Sequence, residues 1–173
     1  MIIKRIFILF AFVVLYSCNN SANTPERPGN PYFSTTDTTR LNVTDAEWKK
    51  ILPGDLYAVA REKATEKAFS GKYNKSTTPG TYYCAVCGNK LFLSDAKFES
   101  TCGWPSFFEP VRTNSITYQP DTTHGMVRTE VTCGRCGSHL GHIFDDGPPP
   151  TYKRFCMNSI SLDFDSTGTV RKN

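Results

Sequence analysis

Four of the chain's seven cysteines fall in two CxxC pairs, Cys84 and Cys87 in "CAVC" and Cys133 and Cys136 in "CGRC", and no other feature constrains the fold as tightly. Glycine follows each pair, in "CGN" and "CGS", where its conformational freedom lets backbone N–H groups turn toward sulfur. Two such turns supply four thiolates, a set that suits one tetrahedral zinc ion, and the long gap between the pairs means that the metal joins distant parts of the chain. Two redox dithiols or two disulfides are the competing readings. A CxxC bridge closes a very small loop and stabilises little, and no βαβ pattern surrounds either pair. Four sulfurs leave no open position for water, so such a zinc is structural. The HxE that zinc deaminases place beside their cysteines is absent.

Around these pairs the sequence alternates between strand-forming runs and turns. From about Tyr82 onward, "TYYCAV", "KLFLS", "PSFFEPV", "SITYQ", "MVRTEVT", "HLGHIF" and "RFCMNSISLDF" are separated by Gly, Pro, Asn and Asp, the pattern of an antiparallel β body. Two helices precede it. Thr44 and Glu47 form a capping box that opens a short helix ended by Pro53. Leu56, Val59, Ala60 and Ala64 at helical spacing predict a second helix from Asp55 to about Lys67. At 173 residues the chain is long enough for one substantial core, and a single domain over residues 41–173 is expected.

The N-terminus differs in kind. Lys4 and Arg5 precede an apolar run from Ile6 to Tyr16, too short to span a bilayer as a stable helix and laid out like a secretion signal. Ser17 before Cys18 resembles a bacterial lipobox, which assigns residues 1–17 to a signal peptide and Cys18 to lipidation; ordinary cleavage and a retained anchor are the alternatives. Residues 18–40, polar and with three prolines, then read as a flexible tether. The expected location is therefore the bacterial envelope, exported and membrane-anchored. The formal charge of +4 falls to about +2 without Lys4 and Arg5, and no basic stripe tracks a phosphate backbone, which excludes a nucleic-acid partner.

Setting Cys18 aside leaves two single cysteines. A lone cysteine is commonly a small buried hydrophobe, but "ESTCGWPSF" puts Cys102 in a turn with Gly103 and Pro105, an exposed setting. In "RFCMNSISLDF", strand alternation sends Cys156, Asn158, Ile160, Leu162 and Phe164 to one face, the core face, and Met157, Ser159, Ser161 and Asp163 to the other. Asn158 and Arg154 on the face of Cys156 would favour its thiolate. His139 and His142 of "SHLGHIF" are open to zinc ligation, but four cysteines leave both free for other work. Trp104, a core residue or a pocket wall, stands two residues from Cys102.

"CGWPSF", "HLGHIF", "DGP" and "RFCMNS", in that order and spacing, together with the earlier "ATEKAFSGKY", resemble the methionine sulfoxide reductase B family over about residues 42 to 165. The resemblance implies a mainly β fold, the β-tent of two antiparallel sheets with short N-terminal helices, with one structural zinc on Cys84, Cys87, Cys133 and Cys136 and no organic cofactor. It implies reduction of methionine-R-sulfoxide, free or in proteins, with Cys156 as the catalytic cysteine and Cys102 as the resolving one. Cys156 would pass through a sulfenic acid and a Cys102–Cys156 disulfide, reopened by a thioredoxin-like dithiol. Trp104, His139, His142 and Asn158 match positions that shape the pocket and assist the chemistry. Tyr152 departs from the pattern, since members commonly have glycine two residues before the arginine. The chain is expected to act as a monomer. A non-catalytic zinc-ribbon binding module is the alternative, and a secreted domain stapled by a Cys102–Cys156 bridge is a second.

Overall fold

The computed structural model describes residues 29–167; the expected signal peptide, Cys18 and residues 19–28 of the expected tether lie outside the described residues. Thr44 caps α1 (Asp45–Ile51) as its sequence predicts, its hydroxyl accepting the Glu47 N–H at 3.3 Å. The next helix, α2 (Gly54–Ala60), is about half as long as expected. Past Ala60 the chain leaves the helical path because side chains beyond it have distant partners. Arg61 donates to Asp45 at 2.7 Å and to the Cys136 carbonyl at 3.1 Å, and Lys63, at φ 61°, reaches Glu130 at 2.7 Å. Together such bonds outweigh the few tenths of a kcal/mol per residue of helix propensity.

Among the described residues nine strands form two antiparallel sheets, the antiparallel body that the sequence pattern predicts in the two-sheet arrangement that the resemblance implies. The smaller sheet runs β2 (Lys90–Leu93), β1 (Thr81–Cys84), β9 (Leu162–Asp165). The larger runs β3 (Lys97–Phe98), β4 (Ser106–Phe107), β8 (Arg154–Met157), β7 (His139–Phe144), β6 (Arg128–Cys133), β5 (Ile116–Asp121). Their inner faces meet through aromatic rings: Phe92 stacks on Phe107 at 4.3 Å between centroids, and Tyr82 meets Phe107 edge-on at 5.0 Å.

The "RFCMNSISLDF" segment is not one strand. It enters the larger sheet as β8, turns through a 3₁₀ segment at Ser159–Ser161, and continues in the smaller sheet as β9. The expected alternation is reversed in β8. Phe155 and Met157 are the core residues, 3% and 0% exposed, while Cys156 faces the other way and is half-buried. The aromatic stack sets this polarity, since Phe155 packs against Phe92 at 5.9 Å. At the strand's end, Asn158 donates both its backbone N–H and its amide to the Leu140 carbonyl.

The two CxxC turns belong to different sheets, Cys84 closing β1 and Cys133 closing β6, so the cysteine cluster stitches the sheets together. The tether expected up to residue 40 is a docked strap from Asn30 onward. Asn30 donates to the Val86 carbonyl at 2.7 Å, the Ser34 N–H to the Cys87 carbonyl at 3.0 Å, and the Leu41 N–H to the Arg135 carbonyl at 2.8 Å. Arg135, within the second CxxC and only 3% exposed, returns bonds to the carbonyls of Tyr32 and Cys87 and to the Asp37 carboxylate. Gly88 sits at φ +77° directly under the strap, where a Cβ would lie 2.6 Å from the Ser34 carbonyl oxygen. Polar composition misled the expectation because the segment's partners are Arg135 and the carbonyls of the distant first CxxC turn, which composition does not reveal.

Candidate active site and metal centre

Antiparallel register brings the reactive residues into one row. Cys156 on β8 pairs with Ser106 on β4 and His142 on β7, and His142 pairs in turn with Glu130 on β6. Directly paired residues project to the same face. His139 and His142, an odd number of residues apart, would face opposite sides of a regular strand. A bulge at Leu140 shifts the register of β6 against β7 and brings the two rings together, centroids 5.5 Å apart. Gly141 lines this region because any Cβ there would collide with the Cys156 carbonyl.

A cavity of about 100 Å³ is lined by Thr65, Trp104, Arg128, Gly141, His142, Phe144, Cys156 and Asn158. At ~30 Å³ per water it has room for about three, the scale of a small side-chain terminus. A larger hollow of about 630 Å³ beside Phe98 and Ser100 holds no cysteine or histidine, so the chemistry belongs to the smaller one.

The Cys102 sulfur lies 3.3 Å from the Cys156 sulfur. A disulfide needs ~2.05 Å, so a shift of about 1.3 Å would join them. Cys102 is half-buried where an exposed setting was expected, and it is cradled by Ser100 Oγ at 3.0 Å and Ser106 Oγ at 3.4 Å. Burial opposes its ionisation, yet the bonds from Ser100, Ser106 and the Trp104 backbone bring its pKa down to about 7. Cys156 moves the opposite way. Burial first, then the hydrogen bond and charge of Cys102, push its thiol far up, and Arg154 offsets only part of this while it is paired with Asp146 at 2.8 and 2.9 Å. The surroundings thus work against the expected Cys156 thiolate: of the two thiols, Cys102 is the one they make more acidic.

Each histidine is backed by a carboxylate that sequence reasoning missed. His139 Nδ1 bonds Glu130 at 2.7 Å, and Glu130, 1% exposed, also takes Lys63 at 2.7 Å. Burial opposes ionisation of Glu130, but Lys63 and His139 hold its carboxyl below the usual range; burial lowers His139, with Glu130 offsetting part of that. His139 Nε2 has no partner among the described residues. His142 Nε2 lies 2.7 Å from Asp121, which also pairs with Arg128 at 2.7 Å. Thr123, then His142, keep the Asp121 carboxyl well below the carboxylate range. Of the residues singled out from sequence, Cys156, Trp104, His142 and Asn158 line the cavity, Cys102 stands beside Cys156 without lining it, and His139 stands behind His142 without lining it. Tyr152 lies 63% exposed at φ 56°, a left-handed conformation that explains why glycine suits this position.

The four paired cysteines are all buried, with sulfur ligand atoms within 4.8 Å of one another. Cys84 to Cys136 and Cys87 to Cys133 each measure 3.7 Å. A tetrahedral metal with ~2.3 Å bonds to sulfur has edges of about 3.8 Å, so the cluster fits a bound metal ion with little movement.

A two-sheet body pinned by a four-cysteine metal site, with a separate cysteine pair at a histidine-lined cavity, is the design of a thiol-dependent oxidoreductase. The chain belongs to the methionine sulfoxide reductase B family: the SelR domain model matches residues 52–166. It is 52% identical over 126 residues to the peptide methionine sulfoxide reductase MsrB of Agrobacterium fabrum, covering 73% of this chain and 93% of that protein. Over 125 residues it is 50% identical to MsrB of Pseudomonas putida, covering 72% and 94%, and over 124 residues 52% identical to MsrB of Leptospira interrogans, covering 72% and 95%.

Proposed function

We propose that the chain reduces methionine-R-sulfoxide, free or within proteins, to methionine, with Cys156 as nucleophile and Cys102 as resolving thiol. The reading is supported above all by the 3.3 Å approach of the two sulfurs beside a cavity walled by Trp104 and His142. Trp104 offers an apolar face to the S-methyl group. Cys156 gives two electrons to the sulfoxide sulfur and takes up its oxygen, leaving methionine and a Cys156 sulfenic acid. The proton on Cys156 passes to Cys102 or the sulfoxide oxygen, and His142, held by Asp121, donates to that oxygen as negative charge builds there. Asn158 orients the floor of the cavity and His139 stands behind His142. Cys102 thiolate then attacks the Cys156 sulfur; the S–O bond breaks, the oxygen leaves as water after protonation, and the S–S bond forms. A thioredoxin-like dithiol exchanges with that disulfide and restores two thiols.

The metal fitted by Cys84, Cys87, Cys133 and Cys136 is zinc, which would supply rigidity between the sheets and no open coordination position. The protein acts as a monomer, without nucleic acid, in repair of oxidised proteins. Its N-terminal pattern assigns it to the bacterial envelope, exported and tethered through a lipid on Cys18. The test of the activity is an epimer-resolved assay with dithiothreitol as reductant: R-sulfoxide is consumed and S-sulfoxide persists. Consumption of S alone, or of neither, would overturn the proposal.

A further inference from the structure

We propose that Glu66 is a positioning residue for the sulfoxide pocket, holding Trp104 and Asn158 through its backbone while its carboxylate anchors that backbone to the start of the Ser159–Ser161 turn. The proposal rests on the cavity at Cys156 being the seat of the sulfoxide, and it adds a residue in which neither histidine nor cysteine chemistry is involved.

Three of the cavity's walls meet at this one residue. The Glu66 N–H donates to Asn158 Oδ1 at 3.0 Å, and the Glu66 carbonyl accepts the Trp104 indole N–H at 3.2 Å. The amide of Asn158 reaches on to the Leu140 carbonyl at 3.1 Å, next to the lining residue Gly141. Thr65, the preceding residue, lines the cavity itself. None of these contacts involves the Glu66 side chain, which is occupied elsewhere. Its two oxygens accept the backbone N–H groups of Ser159 at 2.6 Å and Ile160 at 3.0 Å. Those amides immediately follow Asn158 in the chain, so the carboxylate and the backbone of Glu66 grip both sides of Asn158 at once.

The early end of α2 makes this possible. With the helix broken after Ala60, residues 61–67 are free to run past the cavity, and Phe69 closes the excursion by donating its N–H to the Gly103 carbonyl at 2.7 Å, one residue from Trp104. Close packing holds the carboxylate in place: a Cβ on Gly71 would stand 2.6 Å from Glu66 Oε1. Both partners of the carboxylate are donors, so two acceptor oxygens are needed. Glutamine would turn an NH₂ against one of the two N–H groups and leave it unpaired. Aspartate is one methylene too short to keep the backbone of residue 66 where it is.

The test is Glu66→Gln in the full mature chain, read in two ways. In steady state with an R-sulfoxide peptide and dithiothreitol, KM is expected to rise about tenfold while kcat stays within about twofold, because the walls of the seat shift and Cys156 does not. A merely destabilising change lowers the active fraction, and so lowers kcat at constant KM. The second reading needs no substrate. The two tryptophans, replaced biosynthetically by 5-fluorotryptophan, give two ¹⁹F resonances. Glu66→Gln is expected to move that of Trp104 and leave that of Trp48, the buried residue of α1, in place as a control of folding. An unmoved Trp104 resonance overturns the proposal whatever the kinetics show, and so does a change in kcat alone. A moved Trp104 resonance with an unchanged KM overturns instead the sulfoxide seat, and with it the part assigned here to Glu66.

Discussion

Two cysteine clusters of opposite character border the larger sheet. Cys133 closes β6 at one end, paired with Ile116, whereas Cys156 lies in the row it forms with His142 and Glu130. The three residue steps of ~3.3 Å from Cys133 to Glu130 set that row about 10 Å along β6 from the metal end. At the metal end four sulfurs are buried, spaced for a common ion and covered by a strap. At the reactive end two sulfurs are half-buried and 3.3 Å apart, Cys102 held by the hydroxyls of Ser100 and Ser106 and Cys156 opening to a small cavity that His142 also lines. The same element is held inert by enclosure and four-fold sharing in one place, and made reactive by partial exposure and pairing in the other. What separates structural from catalytic sulfur in this chain is the company each keeps, and the contrast can be broken in graded steps.

The largest effect is expected at the reactive end. Cys156→Ser removes all sulfoxide reduction, including the first turnover, whereas Cys102→Ser releases about one methionine per enzyme and then stops with Cys156 as sulfenic acid. Rapid-quench methionine counts and mass spectrometry distinguish the two; equal loss of the first turnover in both would show that the roles are not divided this way. Next comes the metal end. The purified protein is expected to carry close to one zinc, and stripping it with a mercurial and a chelator should cost on the order of 10 kcal/mol and abolish the cooperative melt. Elemental analysis with circular dichroism checks this, and a fully folded, active, metal-free protein would return the four sulfurs to redox service.

A smaller step loosens the strap alone. Arg135→Ala deletes three bonds at the clasp, leaving the carbonyls of Tyr32 and Cys87 and the Asp37 carboxylate without that partner. Loss of about 3 kcal/mol is expected from charged hydrogen bonds of this kind, together with faster capture of the metal by a chromogenic chelator. The pocket's chemistry, in a row three residues further along β6, should be little changed in the metal-loaded enzyme. The smallest step is a pH shift. In the wild type, alkylation at the thiol pair should rise with a midpoint of about 7, where the Cys102–Cys156 pair loses its first proton. In Cys102→Ser only the buried Cys156 remains; burial disfavours its charged form, so the midpoint should move above the ordinary thiol value of about 8.5. A midpoint that stays at neutrality would mean that Cys156 is acidic by itself.

Sequence was most informative where residue type and spacing carry the chemistry. The CxxC pairs announced the metal cluster, and the Thr44 cap, the start of both helices and the run of short strands were readable from local rules. Local rules failed wherever a distant contact decided the outcome. Glu130 and Asp121 sit in unremarkable strand sequence, and only register and the Leu140 bulge bring them to the histidines. Glu66 belongs to a stretch with good helix propensity, yet four partners beyond residue 100 draw it out of the helix. The polarity of β8 was reversed because alternation gives the period of burial and not its phase, which the Phe92, Phe107 and Phe155 cluster sets.

The strap meets the body at one definite place. Asn30 and Ser34 dock beside Val86 and Cys87, at the end where the sheets are stitched. A pull transmitted through the strap would therefore load the stitched end, with its four buried sulfurs, before it reached the cavity.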